Sequence, residues 1–253
     1  MSCTLALTTL FLLGPCNEGG GHSSMLAIAE SLAAADRFEQ DFAADATRHP
    51  DEVLTFFEIK PGMTVLDLFS GGGYYTEILS RVVGKDGTVV AHNNEAYLAY
   101  KKEEINQRFA DNRLPNVDKI NAEAADLDLP AGSFDAALLM LTWHDFYYVD
   151  EENGWPAIDE PALTSKLCTA LKPGAVLGIS DHVAAAGSDV HESAQNLHRI
   201  DPEQIKQDLS DSCFSFEGEI AVLRNPNDDY SQPMFAEGIR GQTDRVVYKF
   251  RHK

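Results

Sequence analysis

The sequence predicts an α/β fold built around a parallel sheet, and three observations predict it. The first is the stretch Thr64-Val65-Leu66-Asp67-Leu68-Phe69-Ser70-Gly71-Gly72-Gly73-Tyr74-Tyr75-Thr76-Glu77. An apolar run ends in an acid, a glycine cluster follows, and an amphipathic stretch begins at once. That is the pattern of a buried parallel strand, a tight turn and a helix N-terminus. The second is a run over 136–141 that is apolar throughout, as a central parallel strand requires. The third is size: 253 residues, 44% hydrophobic and 24% charged, suit one domain with a full-sized core. Gly71-x-Gly73 alone is a weak signal, and the strand before it and helix after it are what give it weight.

These residues carry a resemblance. Asp67-x-Phe69-x-Gly71-x-Gly73 resembles the first motif of class I S-adenosylmethionine (SAM)-dependent methyltransferases, acid-x-Gly-x-Gly-x-Gly, with Phe69 in place of the first glycine. Lys60-Pro61-Gly62-Met63 and Gly72 to Glu77 resemble a bacterial group of often exported methyltransferases. So do Leu171-Lys172-Pro173-Gly174, Asp181-His182, Leu197-His198-Arg199-Ile200-Asp201 and Thr243-Asp244-Arg245. The resemblance spans about residues 36 to 250. It implies a Rossmann-like, doubly wound, mostly parallel seven-stranded sheet with a C-terminal antiparallel hairpin, in one domain over 22–253. It also implies SAM as cofactor; a small molecule is the leading choice of acceptor. Asp67, Phe69, Gly71, Gly72, Gly73 and Tyr74 are then cofactor-binding, with Leu141 at the end of the fourth strand.

The elements follow in order. Residues 23–49 are Ala-rich and helical in character, and Asp41, Asp45 and Arg48 recur at a spacing that suits surface pairing. Pro50 opens a helix over 51–58. A helix over 75–83 follows the glycines, then a β-branched strand over 88–92. An acid is expected just past that strand to hold the ribose hydroxyls. Asn93 stands in its place and Glu95 follows two residues late; an Asn lacks the two-oxygen clamp of a carboxylate. A charged helix over 95–108 and a strand over 117–122 come next. Asp126 is the acid that the resemblance places at the adenine. Residues 161–171 read as a helix stopped by Lys172-Pro173-Gly174, residues 176–180 as the fifth strand, and 183–200 as an insertion. Asp201 suits the N-cap of a helix over 202–210. Strands over 214–223 and 245–250 close the chain, and the polar loop 224–244 is long enough to be a lid or rim.

The histidines carry the chemistry. His144, with Asp145, and His182, with Asp181, end neighbouring strands, where ligands of open α/β sheets bind. His198 and Asp201 come from the segment after them. The expected catalytic set is His144, Asp145, His182, His198 and Asp201. A base for the acceptor is the leading role, with His144 nearest the reacting atom. A divalent metal is the second role and a structural one the third. Two rival functions remain: a metal-dependent lyase or hydrolase on the same fold, and a non-catalytic envelope binding protein.

A formal net charge of −20 disfavours nucleic acid and anionic lipid surfaces. Cys168 and Cys213 read as two buried thiols, with a disulfide between them left open. Residues 1–21 read as a lipoprotein-type signal and tether. A short apolar run precedes Leu13-Gly14-Pro15-Cys16, with Cys16 as the lipidated residue and the only membrane attachment expected. The expected location is the cell envelope or periplasm; the alternative is a mildly apolar terminus of a cytoplasmic protein.

Overall fold

The computed structural model describes residues 19–253, so the Cys16 reading lies outside the described residues. Seven strands form one sheet: β1 (Thr64–Leu68), β2 (Thr88–Asn93), β3 (Val117–Asn121), β4 (Phe134–Met140), β5 (Leu171–His182), β6 (Phe214–Glu219) and β7 (Arg245–His252). Their order is β3-β2-β1-β4-β5-β7-β6. β1 to β5 run parallel, and β7 pairs antiparallel with both β5 and β6. This is the expected Rossmann-like α/β fold with its C-terminal antiparallel pair.

Alternation along the central strands builds two cores. Leu66 and Leu68 of β1 and Ala137 and Leu139 of β4 face one layer, while Val65, Ala136 and Leu138 face the other. Period-two alternation with both faces apolar is what a sheet covered by helices on both sides demands. The first layer holds α7 (Glu160–Ala170) and α9 (Pro202–Ser210). The second holds α1 (Gly19–Leu32), α3 (Pro50–Phe56) and α4 (Tyr74–Val83). The edge strands β3 and β6 are largely exposed and carry charges, among them Asp118, Lys119 and Glu217, which discourages edge pairing.

Several expectations are corrected. Residues 19–21, read as the end of the tether, lie in α1. The helix expected over 95–108 is broken at Lys101 into α5 (Glu95–Tyr100) and α6 (Lys102–Arg108). The insertion at 183–200 contains α8 (Val190–Leu197), whose N-cap Asp189 accepts from Glu192 N–H at 2.8 Å. β5 begins five residues early and absorbs Lys172-Pro173-Gly174. Asp41 and Asp45 of α2 (Glu39–Arg48) do not pair on the surface. Asp41 is buried against Arg108 of α6, and Asp45 takes a two-pronged ion pair from Arg37 at 2.7 Å on each oxygen. Cys168 and Cys213 are not thiols: they form a disulfide that ties α7 to the start of β6.

Candidate active site

The C-terminal ends of β1, β4 and β5 lie side by side, because β4 pairs with both neighbours. Two groups of residues meet on this crest: the glycine loop after β1, and a histidine–aspartate centre after β4 and β5.

The loop turns sharply. Phe69, Gly71 and Gly73 have φ of 54°, 57° and 79°, a region where glycine is unstrained and other residues are not. Below it, buried Asp67 accepts from the Thr76 hydroxyl at 2.5 Å. Burial pushes the Asp67 carboxyl up to about 7, with the Thr76 hydrogen bond opposing it. Asn93 at the end of β2 closes the turn. Its Oδ1 accepts from Gly71 N–H at 2.9 Å, and its Nδ2 donates to Ser70 Oγ at 3.1 Å and Gly71 O at 3.0 Å.

The loop is roofed by a row of side chains from α5 and α6. The Tyr97 ring lies 3.9 Å from where a Cβ on Gly71 would stand, and Glu104 occupies the position a Cβ on Gly72 would need. Arg108 Nε donates to Gly72 O at 2.8 Å. Arg108 also reaches Asp41 and Glu77, at 2.5 and 2.6 Å, so α2, α4 and α6 share one buried ion-pair network. The Tyr74 hydroxyl is taken by Asp45 at 2.6 Å, and the Arg48 guanidinium sits 4.5 Å from the Tyr74 ring centroid.

The second group centres on His144, in a 3-10 turn after β4. Its Nδ1 is 2.7 Å from Asp181 Oδ1 and its Nε2 is 3.2 Å from Asp145 Oδ1. Asp181 also accepts from the backbone N–H of His144 at 2.8 Å and of His182 at 2.7 Å. Burial alone would lower the His144 pKa, but Asp145 and Asp181 outweigh it and raise it well above the ordinary imidazole value. The Tyr97 hydroxyl donates to Asp145 Oδ2 at 2.5 Å. His198, at the end of α8 with φ 50°, places Nδ1 3.9 Å from Asp145 Oδ1. Its ring lies between Tyr148 and Phe235, at centroid distances of 4.6 and 5.1 Å. Its side chain keeps 20% exposure, against 1% for His144.

The structure thus gathers His144, Asp145 and His198. Both ring nitrogens of His144 face carboxylates, Asp181 at Nδ1 and Asp145 at Nε2. His182 stands beside the centre, its ring centroid 6.1 Å from that of His144 and its Nδ1 2.7 Å from Thr243 Oγ1. Asp201 serves elsewhere: Oδ1 caps α9 through Glu203 N–H, and Oδ2 takes Gly187 N–H. Glu95 and Asp126 are exposed, and Leu141 has φ 67° and donates its N–H to Ser180 O. Tyr97, Glu104, Arg108 and Phe235 carry no motif, so only the fold reveals their places.

A glycine loop between a parallel strand and a helix, on this strand order, defines the fold of class I methyltransferases. The methyltransferase domain family matches residues 59–238, well over half of the chain, and the chain belongs to that family. Among solved structures, a SAM-dependent methyltransferase from Aquifex aeolicus is 22% identical, with 81% of this chain and 89% of that one covered, at a TM-score of 0.55. Geranyl diphosphate C-methyltransferase from Streptomyces coelicolor A3(2) is 14% identical over 88% and 89%, at 0.57. The [4+2]-cyclase SpnF is 16% identical over 92% and 94%, at 0.56. No curated protein matches the sequence.

The cofactor of this class is SAM. Without a Cβ, Gly71 and Gly73 let another group approach the backbone; in this structure Tyr97 and Arg108 are the groups that stand there, 3.9 and 3.4 Å from the Cβ positions, so a ligand at the turn shares that space with them. Asn93 spends its amide on the loop itself, and Glu95 lies exposed, with its backbone N–H bound to Glu123.

Proposed function

We propose that this protein transfers a methyl group from SAM to a small-molecule acceptor held above the ends of β4 and β5. The observation that carries the reading is the adjacency of the glycine loop, at the end of β1, to the histidine–aspartate centre at the end of the paired strand β4. When bound, SAM supplies an activated methyl beside a sulfonium. Gly71 to Gly73 would hold it, with Asp67 and Asn93 fixing the shape of the turn. Asp145 and Asp181 place negative charge near a cationic donor. The rings of Tyr148 and Phe235 flank His198, and Trp155 packs on Tyr148, which gives the accessible side an aromatic wall for the acceptor. A net charge of −20 favours a small acceptor over nucleic acid.

The test is transfer of labelled methyl from SAM into small-molecule fractions of a cell extract. His198→Ala should lower transfer by about 10²–10⁴-fold if its ring touches the acceptor. Label that enters only nucleic acid, or no fraction at all, would count against the reading. The roof over Gly72 favours a use of the fold other than methyl transfer; failure to bind SAM would leave the metal-dependent lyase or hydrolase and the envelope binding protein, which a metal analysis of the purified protein separates. For location, the Cys168–Cys213 disulfide supports an oxidising compartment. The proposal is therefore the cell envelope, with Cys16 as a lipid anchor, and membrane fractionation with and without Cys16→Ser tests it.

A further inference from the structure

We propose that His144, Asp145 and His198 form a binding site for one divalent first-row transition-metal ion. One donor atom from each lies within 4.8 Å of the others. Two separations, 3.2 Å from His144 Nε2 to Asp145 Oδ1 and 3.9 Å from His198 Nδ1 to the same oxygen, bracket what coordination requires. Ligands at about 2.0–2.1 Å in a tetrahedral set stand roughly 3.3 Å apart. Small side-chain rotations therefore bring all three onto one ion, which takes the place of the proton on His144 Nε2 and releases it to solvent.

The surroundings argue for an ion as much as the donors do. Each inner ligand is already oriented through its far atom. Asp181 holds His144 by Nδ1, which turns Nε2 to the centre, and Asp181 is itself fixed by two backbone N–H groups. The Tyr97 hydroxyl holds Asp145 by Oδ2, which leaves Oδ1 facing the histidines. A carboxylate behind a ligating imidazole, and a donor behind a ligating carboxylate, are the usual outer partners of a metal site. His198 is set by the two rings that flank it. It is also the most exposed of the three, so further coordination positions are reachable from solvent.

Charge points the same way. Asp145 and Asp181 are buried, 7% and 0% exposed, beside a single imidazole that touches both. Two buried carboxylates call for more than one positive charge, and a divalent ion supplies it. Two imidazole nitrogens and one carboxylate oxygen suit zinc, iron(II) or manganese(II); they disfavour calcium and magnesium, which take oxygen, and copper(I), which takes sulfur.

The site needs no SAM, so the test contains none. Full-length protein is dialysed against chelator, then titrated by calorimetry with zinc chloride alone, with circular dichroism to confirm the fold of every variant. One ion per chain is expected. His198→Gly, which suits the left-handed backbone at that position, should remove the step, as should Asp145→Asn. Asp181→Asn should weaken it by roughly 10–100-fold, and His191→Ala, outside the centre, should leave it unchanged. No saturable one-to-one step in the wild type, or a step of wild-type affinity in either His198→Gly or Asp145→Asn, would overturn the proposal. Because SAM is absent, either result leaves the methyl-transfer reading to its own test.

Discussion

Asn93 shows how much a single side chain can decide. Were it facing a ribose, Asn93→Asp would leave cofactor binding unchanged or improve it. The structure instead has its Nδ2 donating to Ser70 Oγ and Gly71 O. An Asp cannot donate, so the substitution sets a carboxylate against a buried carbonyl. Asn93→Asp should destabilise the protein by about 1–3 kcal/mol, measured by urea unfolding, and a stability equal to wild type would return Asn93 to the ribose. Asp67 gives a pH signature. Its folded pKa, about 7, lies above the ordinary 3.8. Its contribution is therefore fully present below about pH 4 and is lost as pH rises through about 7. Asp67→Asn should gain stability relative to wild type between pH 5 and pH 8, and an equal difference at both would contradict the buried-carboxyl account. At this scale the sequence announced positions better than roles. The glycine motif located the turn, and the strand ends located His144. Nothing local told that His144 has carboxylates on both nitrogens, because Asp181 lies 37 residues away. Asp201 was legible as a cap, and the cap consumes both of its oxygens.

At the scale of elements, the α5–α6 pair is the piece the sequence described least well. Its charged pattern gave helix, but the break at Lys101 and the roof it forms over the glycine loop come from tertiary packing. A cofactor that reaches Gly72 must displace the Glu104 side chain, which occupies that space. If closed and open arrangements interconvert, the apparent affinity is reduced by the fraction that is open. Glu104→Ala should therefore strengthen SAM binding, by roughly threefold or more, as read by calorimetry. A weaker or unchanged affinity would mean that the roof does not cover the cofactor path. The parallel strands were legible because both of their faces are apolar. α8 was not: it has eight residues and follows a stretch of Ala, Gly and Ser that hides its start.

For the whole molecule, the disulfide and the cofactor motif pull in different directions. Cys168 and Cys213, 45 residues apart, tie α7 to β6 across the layer under the sheet. The link closes a long loop, and paired Cys168→Ser and Cys213→Ser substitutions should cost about 2–4 kcal/mol. Reducing agent should do the same to the wild type and nothing to the double variant; a wild type insensitive to reductant would remove the disulfide from the stability account. Sequence could not pair these cysteines, since their meeting depends on how α7 and β6 stack.

The central claim is that the glycine loop still receives SAM. Calorimetric titration of the purified full-length protein with SAM tests it most directly, with Gly71→Val and Glu104→Ala run beside the wild type. Gly71 has φ 57°, so a branched side chain there is strained and blocks the approach to the backbone. The account predicts one SAM per chain in the wild type, tighter binding in Glu104→Ala and none in a folded Gly71→Val. No saturable heat in either the wild type or Glu104→Ala would contradict it.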